Sequence, residues 1–189
     1  RAEQTGSVPS NMTKADYAEM KFGTALIEED DYDMLVMGRT QGKGCYCYVN
    51  GVLKTLLDKY IGAYRYVVID NEAGMEHIAR GTLPHVDALL LVSDCSRRGV
   101  QAVARIAEMV RELDLKPGLM KLIINRAPGG VLSDGVREEI EAHHLELAGV
   151  LPQDDAVYEA DCDGKPSSQV PDNTPVKQAL HQIMRDLNL

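Results

Sequence analysis

Apolar and polar positions along this chain alternate between two periods, short continuous apolar runs and longer stretches in which apolar residues recur every three or four positions. The runs read as buried strands. They are Tyr32–Gly38, Tyr64–Asp70, Val86–Ser93, Met120–Arg126 and Leu145–Pro152. Between them lie helical stretches. Val52, Leu53, Leu56, Leu57, Tyr60 and Ile61 share one stripe behind a capping Asn50, and Val100, Val103, Ile106, Ala107, Val110 and Leu113 share another across 96–113. Ser133 caps a further helix to about His143, and Thr174 before Pro175 is a cap followed by proline at the first helical position, opening a helix lined by Val176, Leu180, Ile183 and Leu187. Apolar residues from Lys14 to Glu29 are irregularly spaced and predict only a helix or helical turn. Strands that alternate with helices predict an α/β fold with a mostly parallel sheet flanked by helices, in one domain over residues 1–189.

Composition narrows the partners. With one Phe and no Trp, the core must be built from Leu, Ile, Val, Ala and Met. A formal net charge of −9 and a pI near 5.0 argue against a large phosphate-binding surface for nucleic acid. No apolar run approaches membrane-spanning length, and four cysteines in 189 residues do not make a disulfide scaffold, so a cytoplasmic setting is expected.

Three groups of residues bear on chemistry. Cys45 and Cys47 stand one residue apart after a Gly-rich stretch; in extended backbone both sulfurs leave on one face and suit one soft metal ion. Two thiolates are half of a tetrahedral site, and a two-fold axis would supply the other half, which predicts a metal-bridged homodimer. The plainer alternative makes them small residues in a turn. Asp70 closes its apolar run at the edge where open parallel sheets bind ligands, and Gly74 permits a sharp turn after it; nucleotide hydrolases use such a pair to orient Mg²⁺ and sense the terminal phosphate, although an acid there also serves as a simple turn cap. Asn125, at the end of a later run, offers an amide to a base edge or caps its own loop, and Pro152, Gln153 and Asp154 follow the fifth run on the same edge. The tempting Gly38–Gly44 loop is not a phosphate-binding P-loop: three residues rather than four separate Gly38 from Gly42, and Gly44 has no hydroxyl to hold Mg²⁺.

Taken together, Gly-Lys-Gly-Cys-Tyr-Cys from Gly42, Val-Val-Ile-Asp-Asn-Glu-Ala-Gly-Met-Glu-His from Val67, Ser-Asp-Cys-Ser-Arg-Arg-Gly from Ser93, Ile-Ile-Asn-Arg from Ile123 and Val-Leu-Pro-Gln-Asp from Val150 resemble the CooC-type carbon monoxide dehydrogenase maturation ATPases, within the MinD/ParA group of P-loop proteins. The resemblance runs from about Tyr32 to the C-terminus. It implies a dimeric ATPase that binds ATP or ADP with Mg²⁺ and assists nickel insertion into carbon monoxide dehydrogenase, or into a related nickel enzyme such as acetyl-CoA synthase. It places Ni²⁺ or Zn²⁺ on Cys45 and Cys47, the catalytic switch on Asp70, Glu72 and Gly74, and nucleotide recognition on Asn125, Arg126, Pro152, Gln153 and Asp154.

One departure stands out. The family opens with a strand and a lysine-bearing P-loop, and no G-G-x-G-K-[ST] occurs in this sequence. The expectation is an N-terminally incomplete chain, with an exposed gap in its sheet, that alone binds nucleotide poorly and hydrolyses it hardly at all. The alternative from another class is a non-catalytic regulatory or protein-interaction module on a nucleotide-binding fold.

Overall fold

A computed structural model describes residue 9 and residues 11–36, 61–71 and 86–189. The chain forms two compact units, one comprising residues 1–73 and 80–84, the other residues 74–79 and 85–189.

The second unit contains a parallel sheet of β3 (Ala88–Asp94), β4 (Leu119–Ala127) and β5 (Leu147–Pro152), in that order. Each strand begins and ends within a few residues of its apolar run. The crossovers carry α2 (Arg97–Glu112) and α3 (Asp134–Ala142), and α4 (Asp155–Cys162) and α5 (Pro175–Asp186) follow. Ser96 caps α2 through its hydroxyl, which accepts the Gly99 N–H at 3.0 Å. Most of the predicted stripe of α2 is buried, Val100, Val103, Ala107 and Val110 packing inward with Ala104, whereas Leu113, just past the helix end, is 45 % exposed. Alternation along β4 assigns the two faces of the sheet. Leu122 and Ile124 join Leu91, Val100, Val136 and Ile140 in one apolar cluster beneath α2 and α3. Ile123 points the other way; its register partner Gly149 lies against Ile183 of α5, so a helix covers this face at β5, while Val92 of β3 on the same face is 55 % exposed. A Cβ at Gly149 would meet Ile183 Cγ1 at 2.5 Å, so only glycine lets α5 approach this closely.

A polar joint binds α2 to α3. Glu139, only 7 % exposed, accepts from Arg97 Nε at 2.9 Å and Gln101 Nε2 at 2.8 Å, and His143 Nε2 lies 3.2 Å from it. Every oxygen of this buried carboxylate is therefore paired, the condition under which such a group is tolerated. Hydrogen bonds from Gln101 and then Arg97 outweigh burial and hold the Glu139 carboxyl below its ordinary range.

The first unit departs from the sequence reading. The N-terminal helix α1 (Lys14–Ala25) forms, with a capping box between Thr13 and Asp16, but it ends before the expected Glu29. Its last predicted residues become β1 (Leu26–Glu28), paired antiparallel with β2 (Asp33–Leu35), the only part of the Tyr32–Gly38 run that is a described strand. The reason is local: four acids in Glu28–Asp31 favour a turn over helix continuation, and the Glu29 N–H bonds Tyr32 O at 3.0 Å to close it. This pair is not the buried parallel strand that the run suggests, since Met34 and Val36 are 41 % and 66 % exposed.

A second correction concerns Tyr64–Asp70. After a 3₁₀ turn at Ile61–Ala63 the run is not a strand, and Val68 is 91 % exposed. Among the described residues no strand pairs with it, and β-propensity without a partner strand does not fix a strand. The predicted helix over 52–61, apart from Ile61, and the turn beyond Asn71 lie outside the described residues.

Candidate functional site

The carboxyl ends of β3, β4 and β5 form one rim. Register sets Asp94 beside Asn125 and Ala127 beside Pro152. The pairing of β4 with β5 breaks between Ile124 and Ala127, and the irregularity re-aims what it carries. Arg126 there adopts φ 55°, a left-handed backbone that non-glycine residues rarely take. Asn125 supports it: its Oδ1 accepts the Arg126 N–H at 2.9 Å. The amide Nδ2 of Asn125 makes no hydrogen bond among the described residues, so the half-buried side chain presents donors outward beside an exposed guanidinium. Beyond the break the strands rejoin, and the Gln153 N–H donates to Ala127 O at 2.9 Å. This fixes Pro152–Gln153 next to Asn125–Arg126.

At the β3 end the corner is held by its own side chains. Asp94 Oδ1 accepts from Ser96 N at 3.2 Å and Ser96 Oγ at 2.6 Å, and the buried Ser93 hydroxyl donates to Asp94 O at 3.0 Å. A Cβ at Gly99 would stand 2.2 Å from Asp94 Oδ1, so the glycine of the Ser93–Gly99 stretch is what admits the carboxylate against α2. Asp94 is a rim residue that the sequence reading missed; its signal was present, since it ends an apolar run as Asp70 does.

The opposite end of the rim closes on Asp154. Its Oδ1 accepts from Ala156 N at 3.0 Å as the cap of α4, and its Oδ2 accepts from Val176 N at 3.3 Å at the start of α5.

No family model matches the chain. An uncharacterized ATP-binding protein of Methanocaldococcus jannaschii is 36 % identical over 178 residues, covering 93 % of this chain and 69 % of that protein. The solved septum site-determining protein MinD of Pyrococcus horikoshii, complexed with Mg-ADP, superposes with a TM-score of 0.65 at 16 % identity, covering 97 % of this chain and 76 % of that one. The chain belongs to the family of the Methanocaldococcus ATP-binding protein, and its fold is that of the MinD and ParA ATPases. The carbon monoxide dehydrogenase accessory protein CooC of Rhodospirillum rubrum is 32 % identical over 133 residues, covering 68 % of this chain. The chain spans about two thirds of the Methanocaldococcus relative's length but only 48 % of CooC.

Of the site residues read from the MinD/ParA resemblance, Asn125, Arg126, Pro152, Gln153 and Asp154 meet on the rim. Asp70 lies exposed in the first unit, where the following Asn71 amide donates to Ile69 O at 3.5 Å. Cys45, Cys47, Glu72 and Gly74 lie outside the described residues. Among the described residues no group of three or more His, Cys, Asp or Glu is arranged to hold a metal ion, and Cys95 and Cys162 are free thiols. No described helix is long and apolar enough to cross a membrane.

Proposed function

We propose that this protein binds and hydrolyses ATP and, as a cytoplasmic homodimer, assists nickel insertion into carbon monoxide dehydrogenase or a related nickel enzyme. Residues 1–189 are read as one NTPase-like domain. The observation that carries the reading is the rim: Asn125, Arg126 and Pro152–Asp154, five residues at the ends of two separate strands, converge in a chain that is 32 % identical over 133 residues to CooC.

The donor set fits a nucleotide. Outward N–H groups of Asn125 match the acceptor nitrogens of a purine edge, the Arg126 guanidinium suits an anionic or ring-stacked neighbour, and Pro152–Gln153 flank the base. ATP with Mg²⁺ supplies the hydrolysable phosphate, and Asp70, Glu72 and Gly74 form the switch that responds to it. Cys45 and Cys47 from each of two subunits give four thiolates, the number a closed tetrahedral site takes, with Ni²⁺ or Zn²⁺ as the cargo. The acidic balance of −9 weighs against nucleic acid as a partner.

The test uses the whole protein, titrated with Ni²⁺ and Zn²⁺ in the presence of ATP. About one ion per dimer is expected from the four-thiolate count, and none once both cysteines are changed, Cys45→Ser with Cys47→Ser. Stoichiometric binding retained by that variant sinks the metal site. Binding of ATP without turnover favours the non-catalytic module instead.

A further inference from the structure

Asp154 does more than end the rim. Thr174, placed by the sequence to cap α5, makes no such bond, because its hydroxyl donates to Pro171 O at 2.8 Å. The cap comes instead from Asp154, 22 residues earlier, whose Oδ2 accepts the N–H of Val176, the second residue of α5. The other oxygen of the same carboxylate caps α4. Helix starts expose unpaired N–H groups and a partial positive charge, so one anion shared between two of them is doubly stabilised. On its far side α5 is fixed to β5 by Ile183, 4 % exposed, seated on Gly149. The rim segment Pro152–Gln153 is thus linked through a single side chain to the C-terminal helix.

We infer that Asp154 is a positioning residue that couples the start of α5 to the geometry of the nucleotide rim, leaving base contact to Asn125 and the Pro152–Gln153 backbone. The inference rests on the nucleotide reading above. Because coupling is reciprocal, an occupied rim steadies the α5 start as much as the α5 start steadies the rim.

The experiment compares ATP with inorganic tripolyphosphate, the same phosphate chain without a base, as ligands of the whole protein in its unaltered, Asp154→Ala and Asp154→Asn forms. Asp154→Ala is expected to weaken ATP binding by about tenfold, the scale of one or two lost caps, and to change tripolyphosphate binding by less than about twofold. Asp154→Asn keeps one acceptor oxygen where both carboxylate oxygens are in use, so it holds only one of the two helix starts and is expected to lose nearly as much ATP affinity as Asp154→Ala. Hydrogen exchange at the Val176 amide slows when ATP binds the unaltered protein and does not respond in Asp154→Ala. Equal loss for both ligands, or no loss for either, overturns the coupling. So does a Val176 amide indifferent to ATP in the unaltered protein, a reading that stands even where Asp154→Ala does not fold. An unaltered protein that prefers ATP no more than tripolyphosphate overturns the nucleotide reading itself, and the coupling with it.

Discussion

Tyr64–Asp70 and Ala88–Asp94 are both seven residues long, both apolar, and both end on aspartate. The first is the richer in β-branched and aromatic residues, yet the second is the strand. In β3 each residue from Ala88 to Asp94 has a register partner in β4, and Leu91 is 5 % exposed beneath α2. In the other run Tyr66 is 64 % and Val68 91 % exposed. The difference teaches that strand identity here belongs to the neighbour and the covering helix rather than to the run, because β-propensity measures fit to a pleated, half-buried surface. It also separates the two aspartates that end these runs: both are exposed, but only Asp94 closes a strand, where its carboxylate accepts from Ser96 N and Oγ.

The largest expected effect breaks the well-packed side of this contrast. Leu122, 1 % exposed in the centre of β4, loses its contacts to α2 and α3 in Leu122→Ala, for a cost of about 2–5 kcal/mol by the usual range for buried leucine truncation. Urea denaturation measures it; a loss below about 1 kcal/mol would mean that the sheet's interior has room to collapse.

A smaller effect appears only in acid. The folded Glu139 carboxyl titrates below its unfolded value of roughly 4.3, so its contribution is fully present above that pH and is lost as pH falls through the folded value. Glu139→Gln should flatten the decline of the denaturation midpoint below about pH 4. Glu146 and Asp172, lowered by Lys121 and Lys177, keep a residual slope in the variant. Parallel curves for the two proteins would assign the acid sensitivity elsewhere.

The smallest effect is expected where exposure is greatest. Val68→Ala should change stability by no more than about 0.5 kcal/mol, as for surface positions generally. A loss of the size expected at Leu122 would show that the run is covered in the working protein and would erase the contrast.

How much was legible follows the same physics. The β3–β5 strands, α2 and α3 were readable because each presents an apolar run or stripe to a core that is actually there, whereas α5, with Ile183 its one buried residue, was readable from its Thr174–Pro175 start. Helix α4 was not, since Ala160 is its one buried residue and leaves no stripe to see. The split of Lys14–Glu29 into α1 and β1 turned on an acidic hairpin loop, which the irregular spacing hid. On the rim, the positions of Asn125 and Pro152–Gln153 followed from strand ends, but the Asn125-to-Arg126 bond and the reach of Asp154 to Val176 could not, one depending on a break in register and the other on a contact 22 residues away.

The left-handed backbone of Arg126 has a thermodynamic consequence. A side chain with a Cβ forgoes about 1 kcal/mol relative to glycine in that region, so the most comfortable occupant of this corner is the smallest residue, and the one present carries a permanent positive charge instead. Arg126→Gly would relax that backbone by about this amount and remove the one fixed charge at the break in the ladder between β4 and β5.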